Sequence, residues 1–161
     1  TATVYEKGAE IIGMLKRLVG DDAYYKACDL YFSRHDGDAA TIEDWLKVFE
    51  DTTGRDLTRF KRWYTQAGTP RVTVTDSFKD GTYQIDFEQV TPPTPGQPDK
   101  EPQLIPMAMG LINPDGSEAR PTQVVELTEA RQSLRFDGLD ALPRDPRPQP
   151  RFQRPRHAAG A

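Results

Sequence analysis

With one cysteine, Cys28, the 161-residue chain cannot form an internal disulfide, so its fold must rest on packing and hydrogen bonds. Cys28 stands among Tyr24, Ala27, Tyr31 and Phe32 at helical spacing, the setting of a small buried hydrophobe. A reactive thiol needs a base partner, which this neighbourhood does not supply. Histidine is almost as scarce. His35 and His157 are the two in the sequence, and neither has a second histidine at helical spacing, so no paired-histidine metal site is readable. Apolar runs are short as well: none approaches the roughly 18 residues that a spanning helix needs, and no membrane association is expected. A charged-then-apolar N-terminal stretch with a small-residue cleavage site is missing too. A cytoplasmic location is the expectation, with export of a longer parent left open.

What the chain does have is charge, at 29% of residues against 36% hydrophobic, with a formal net charge of −4. The charge is uneven. Residues 139–161 hold five arginines and two acidic residues, about +3, so the body is distinctly acidic. An acidic body opposes phosphate contacts, and no nucleic-acid partner is expected despite the basic end.

The hydrophobic period divides the chain. From Glu6 to Ala67 apolar residues recur at three and four, the spacing of helices with one buried face. Ile11, Leu15 and Leu18 line a first helix that stops at Gly20; Tyr24, Ala27, Cys28 and Tyr31 line a second that stops before His35. Thr41 with Asp44 three residues on has the form of a capping box, opening a third helix that buries Trp45, Val48 and Phe49. Asp56 caps a fourth built on Leu57, Phe60, Trp63 and Tyr64, ended by Gly68 and Pro70. That aromatic series falls at helical spacing and reads as core.

After Pro70 the period becomes two. Val72 and Val74, a turn at Asp80–Gly81, then Tyr83, Ile85 and Phe87 make a hairpin with one buried face. Residues 91–102 hold five prolines among polar residues and must be a loop. Extended runs resume over Leu104 to Ile112, Val124 to Leu127 and Ser133 to Phe136, about five strands in all, most simply an antiparallel sandwich. The fold class is therefore α+β, a helical bundle segment over 1–68 followed by a small, truncated immunoglobulin-like β-sandwich over 69–138. The Pro/Arg-rich residues 139–161 are expected to be disordered.

Three blocks carry a resemblance: Thr3-Val4-Tyr5-Glu6-Lys7-Gly8-Ala9 before an amphipathic helix; Leu30-Tyr31-Phe32-Ser33-Arg34-His35-Asp36-Gly37 with Ala39-Ala40-Thr41; and Phe60-Lys61-Arg62-Trp63-Tyr64 with Gly68-Thr69-Pro70 leading into a Val-x-Val strand. In order and spacing they resemble the aminopeptidase N family of zinc metallopeptidases, from Thr1 to about Gly138. The resemblance implies that Tyr5 is the catalytic tyrosine, its phenol donating to the oxyanion at the scissile carbonyl. A phenol is a neutral donor near pH 7 and bonds more strongly as negative charge develops. Glu6 is implied as a neighbour of the substrate or of the zinc shell; its simpler reading is an acid favouring a helix N-terminus. Lys7 reads as solvated or ion-paired, and His35 as a capping or hydrogen-bonding residue.

The rest of such a site is not in this sequence. The family's His-Glu-x-x-His helix, later glutamate and Gly-Ala-Met-Glu-Asn segment are absent. The chain is thus expected to be a fragment, with zinc as cofactor of the full-length parent and none bound here. Expected partners are peptide substrates through the parent, the upstream zinc-binding segment and a downstream helical domain. Residues 69–138 are implied to be a spacer without chemistry. After Gly138, where a Phe-Ser-Ala-Pro-Val-like strand is expected, the sequence departs, and reading the coding DNA one base over would restore such a strand, so a frameshift is expected. The alternative reading is a non-catalytic interaction module of helices plus sandwich.

Overall fold

The computed structural model describes residues 3–144, with side chains from Tyr5 onward. A π-helical turn over Thr3–Lys7 leads into α1 (Gly8–Val19), with Lys7 itself helical at φ −64° and ψ −38°. α2 (Asp21–His35), α3 (Ile42–Thr53) and α4 (Thr58–Thr65) come next along the chain. Among the described residues no helix is long and apolar enough to cross a membrane.

The stripes form because the spacing puts them on one face. α1 buries Ile11, Met14, Leu15 and Leu18 and stops at Gly20, whose N–H bonds the Lys16 carbonyl at 2.9 Å. α3 opens on a reciprocal cap: the Asp44 N–H donates to Thr41 Oγ1 at 3.3 Å and the Thr41 N–H to Asp44 Oδ2 at 2.9 Å. Its buried face is Leu46, Val48 and Phe49 rather than Trp45, which is half-buried. The Trp45 ring stands edge-on to Phe49 and Tyr31, with centroids 4.7 and 5.2 Å away. α2 is the outer wall: Ala27 is buried, Tyr24, Cys28 and Tyr31 are half-buried, and the helix continues through His35. Leu15, Phe49 and Phe60 are fully enclosed; side chains of this kind each contribute about 1.5–3 kcal/mol on burial.

β1 (Arg71–Lys79) and β2 (Thr82–Val90) pair in full register from Arg71 with Val90 to Lys79 with Thr82. Asp80 and Gly81 turn the corner at φ 50° and 74°. Positive φ at both positions defines the two-residue turn whose twist matches that of the strands, and aspartate with glycine tolerates it best. β5 (Arg131–Phe136) pairs with the other edge of β2, while β3 (Ile105–Ile112) and β4 (Glu118–Leu127) form a second antiparallel sheet. The sheets share a core of Tyr83, Ile85 and Phe87 from β2, Met109 and Leu111 from β3, and Leu127 from β4. This is the α+β arrangement with a small antiparallel sandwich.

The expectation of disorder over 139–161 fails for its first residues. Leu139 is buried in the sandwich core, its N–H bonds the Gly81 carbonyl at 2.9 Å, and the Arg144 N–H bonds the Ile112 carbonyl at 2.7 Å. One leucine that fills a core slot outweighs the low apolar content around it. The remainder of that stretch, and the shifted-frame reading of it, lie outside the described residues.

Helices and sandwich are sewn together. Leu104, just before β3, belongs to the helical core, and its carbonyl accepts the buried Trp63 indole N–H at 2.7 Å. Arg55 pairs with Glu126 at 2.8 Å, Arg59 with Glu129 at 2.6 Å and with the Thr128 carbonyl at 3.0 Å, and Arg62 donates to the Pro102 carbonyl.

Candidate functional site

Tyr5 lies in the π-helical turn that starts the structure and is 73% exposed. Such turns are rare and concentrate at functional sites, because the widened turn re-aims side chains relative to the helix beyond it. Among the described residues the Tyr5 hydroxyl has no hydrogen-bond partner, whereas Lys7, two positions on, is held. Its Nζ donates to the Gly68 carbonyl at 3.2 Å, across 61 residues of sequence. The reading of Lys7 as solvated or ion-paired therefore gives way to a half-buried lysine on a backbone acceptor. Glu6 is exposed beside Tyr5 in the first turn.

The other phenols make a contrast. Burial pushes Tyr83 and Tyr64 up from the ordinary tyrosine range, and neither hydroxyl has a hydrogen-bond partner among the described residues. Tyr83 is sealed in the sandwich core, out of reach of any substrate. Tyr5 alone joins an exposed hydroxyl to the unusual turn.

The described residues do not fit a metal. No group of three or more His, Cys, Asp or Glu side chains is placed to hold one among them. His35 closes α2 with its ring tilted on Tyr31 at 5.4 Å between centroids, and its carbonyl accepts the Asp38 N–H at 3.1 Å. Cys28 is a half-buried free thiol against the helical core. Any zinc of a longer protein would be held by residues other than the described ones.

Sequence reasoning missed the wrapping of the helix-to-strand junction. The Ala67 N–H donates to Gln97 Oε1 at 2.8 Å, Gln97 Nε2 to the Thr65 carbonyl at 3.1 Å, and Lys100 Nζ to the Ala67 carbonyl at 3.0 Å. Gln66 exchanges two bonds with the Glu101 backbone, at 3.0 and 2.9 Å. Each partner lies about thirty residues away, so no local signal announces it; the polar residues among the prolines of the loop are the one hint.

Residues 1–64 match the peptidase family M1 domain, and residues 68–145 match the domain of unknown function (DUF3458) with an Ig-like fold. The second match runs past Gly138, where the departure from the family pattern was expected. The chain is 43% identical over 149 residues to aminopeptidase N of Escherichia coli (strain K12), covering 86% of this chain and 17% of that protein. Against aminopeptidase N of Caulobacter vibrioides it is 49% identical over 145 residues, covering 89% and 17%. A solved structure, Legionella pneumophila aminopeptidase A in complex with aspartic acid, superposes with a TM-score of 0.77 at 28% identity, over 89% of this chain and 16% of that one. The chain thus spans about a sixth of the length of these relatives.

Proposed function

We propose that this chain, a member of the aminopeptidase N family of M1 peptidases, is part of a longer metallo-aminopeptidase to which it contributes the oxyanion-stabilising tyrosine, Tyr5. In this reading residues 1–68 close the catalytic domain and residues 69–138 begin the sandwich that spaces it from a downstream helical domain. The reaction is hydrolysis of the N-terminal peptide bond of a peptide substrate. As the scissile carbonyl becomes tetrahedral its oxygen gains negative charge, and the Tyr5 phenol donates a hydrogen bond that strengthens with that charge. The phenol is a donor and not a proton source, so it acts without changing its own protonation state.

The observation that carries the reading is an exposed phenol, without a hydrogen-bond partner among the described residues, on a π-helical turn within the M1-matching segment. Glu6 takes the electrostatic role of an acid at the positive end of a helix. Alone, the chain has neither a metal site among its described residues nor the remainder of a cleft, and is inactive in this reading. The test is Tyr5→Phe in the intact protein, assayed on alanyl substrates with and without a chelator. One lost oxyanion donor is worth about 3 kcal/mol, or on the order of a hundredfold in kcat. Chelator-sensitive activity that survives the substitution undiminished removes Tyr5 from the mechanism.

A further inference from the structure

We propose that Lys7 is a positioning residue for Tyr5, and that through it the proline-rich loop of the sandwich sets the direction of the phenol; this rests on the role assigned to Tyr5 above. The Lys7 ammonium donates to the Gly68 carbonyl at 3.2 Å. Residues two apart on a helical turn lie on different faces, so holding the Lys7 side fixes the roll of the turn while leaving the Tyr5 ring uncovered. A long lysine side chain loses rotamer freedom in such a contact, and it adopts one geometry only where the acceptor is itself fixed.

The acceptor is fixed by the loop. Gly68 sits at φ +97°, and a Cβ there would lie 3.1 Å from Thr91 Cγ2, so the loop packs directly on the backbone that presents the carbonyl. On the preceding carbonyl, that of Ala67, Lys100 completes a three-acceptor cradle with Thr94 Oγ1 at 2.7 Å and Gln97 Oε1 at 3.0 Å. Two ammonium groups thus grip two successive carbonyls, one from the tyrosine segment and one from the sandwich. The chain of contacts runs from loop to junction to Lys7 to the turn that bears Tyr5.

The experiment uses the intact aminopeptidase carrying this segment, with Lys7→Met, Lys7→Arg, Gln97→Ala, Tyr5→Phe and the Tyr5→Phe/Lys7→Met pair. Misplacing a reacting group by about an ångström costs up to about a hundredfold, and a loosened tether should cost Lys7→Met about tenfold in kcat with KM within about twofold. Lys7→Arg should recover part of that loss, and Gln97→Ala should show a smaller loss of the same kind. In the Tyr5→Phe background Lys7→Met should have no further effect on kcat, since the hydroxyl it orients is gone. Equal kcat losses from Lys7→Met in both backgrounds, tracking a fall in melting temperature, would mean a purely structural lysine and overturn the proposal. Silence of Lys7→Met where Tyr5→Phe is damaging also overturns it and leaves the role of Tyr5 standing. Silence of Tyr5→Phe sinks both.

Discussion

Replacing Trp63 by phenylalanine probes the contact that joins the helices to the sandwich. The indole is 9% exposed and donates to the Leu104 carbonyl at 2.7 Å, while Leu104 itself completes the helical core. Phenylalanine keeps most of the apolar contact but has no donor. The stranded carbonyl, buried without a partner, costs about 1–3 kcal/mol. The smaller ring leaves a void worth about 1 kcal/mol more. The sum is a loss of about 2–4 kcal/mol, which in a chain of this size lowers the melting temperature by roughly 5–15 °C. Urea unfolding reads the energy directly, and Trp45, packed on Phe49 and Tyr31, remains as the fluorescent reporter of the helical part. A Trp63→Phe chain that unfolds within about 0.5 kcal/mol of the parent would show that the Leu104 carbonyl finds another donor, and the reasoning would fail.

Acid should weaken the exposed ion-pair framework. Glu129 is held below the usual carboxylate range chiefly by its hydrogen bond from Arg59, Glu43 by that from Lys61, and Asp51 by those from Arg34 and then Lys47. A carboxyl whose folded value lies below its unfolded one contributes stability that is complete above the unfolded value and is lost as pH falls through the folded one. The melting temperature should therefore be flat from neutrality to about pH 5 and fall below about pH 4, less steeply in high salt and in Arg59→Ala; an unchanged slope in both would contradict this. The chain by itself, supplied with zinc, should neither take up the ion stoichiometrically nor release the N-terminal residue of alanyl substrates. Saturable one-to-one uptake in a calorimetric titration would refute that expectation.

Much of the fold was legible because its signals are local. The Thr41–Asp44 cap, the Asp80–Gly81 turn and the alternation of Tyr83, Ile85 and Phe87 each depend on neighbours within a few residues, and each stands as read. What escaped depends on distant partners. Trp45 yields its inner place to Leu46 because the bulky ring fits better at the rim, against Tyr31. Leu104 reads as the start of a strand run yet packs with the helices, and Leu139 reads as tail yet fills the sandwich. Tyr5 was singled out from its motif, whereas the hold on Lys7 spans 61 residues and has no sequence signature.

Arg55, Arg59 and Arg62, spaced four and three along the end of the bundle, all reach into the sandwich or the loop that feeds it. With the connecting residues bonded on both flanks as well, this seam has no slack at which to bend. If a longer enzyme must gape to admit a peptide and shut to exclude water, the swivel has to be sought elsewhere, and these two parts travel together as a single lever.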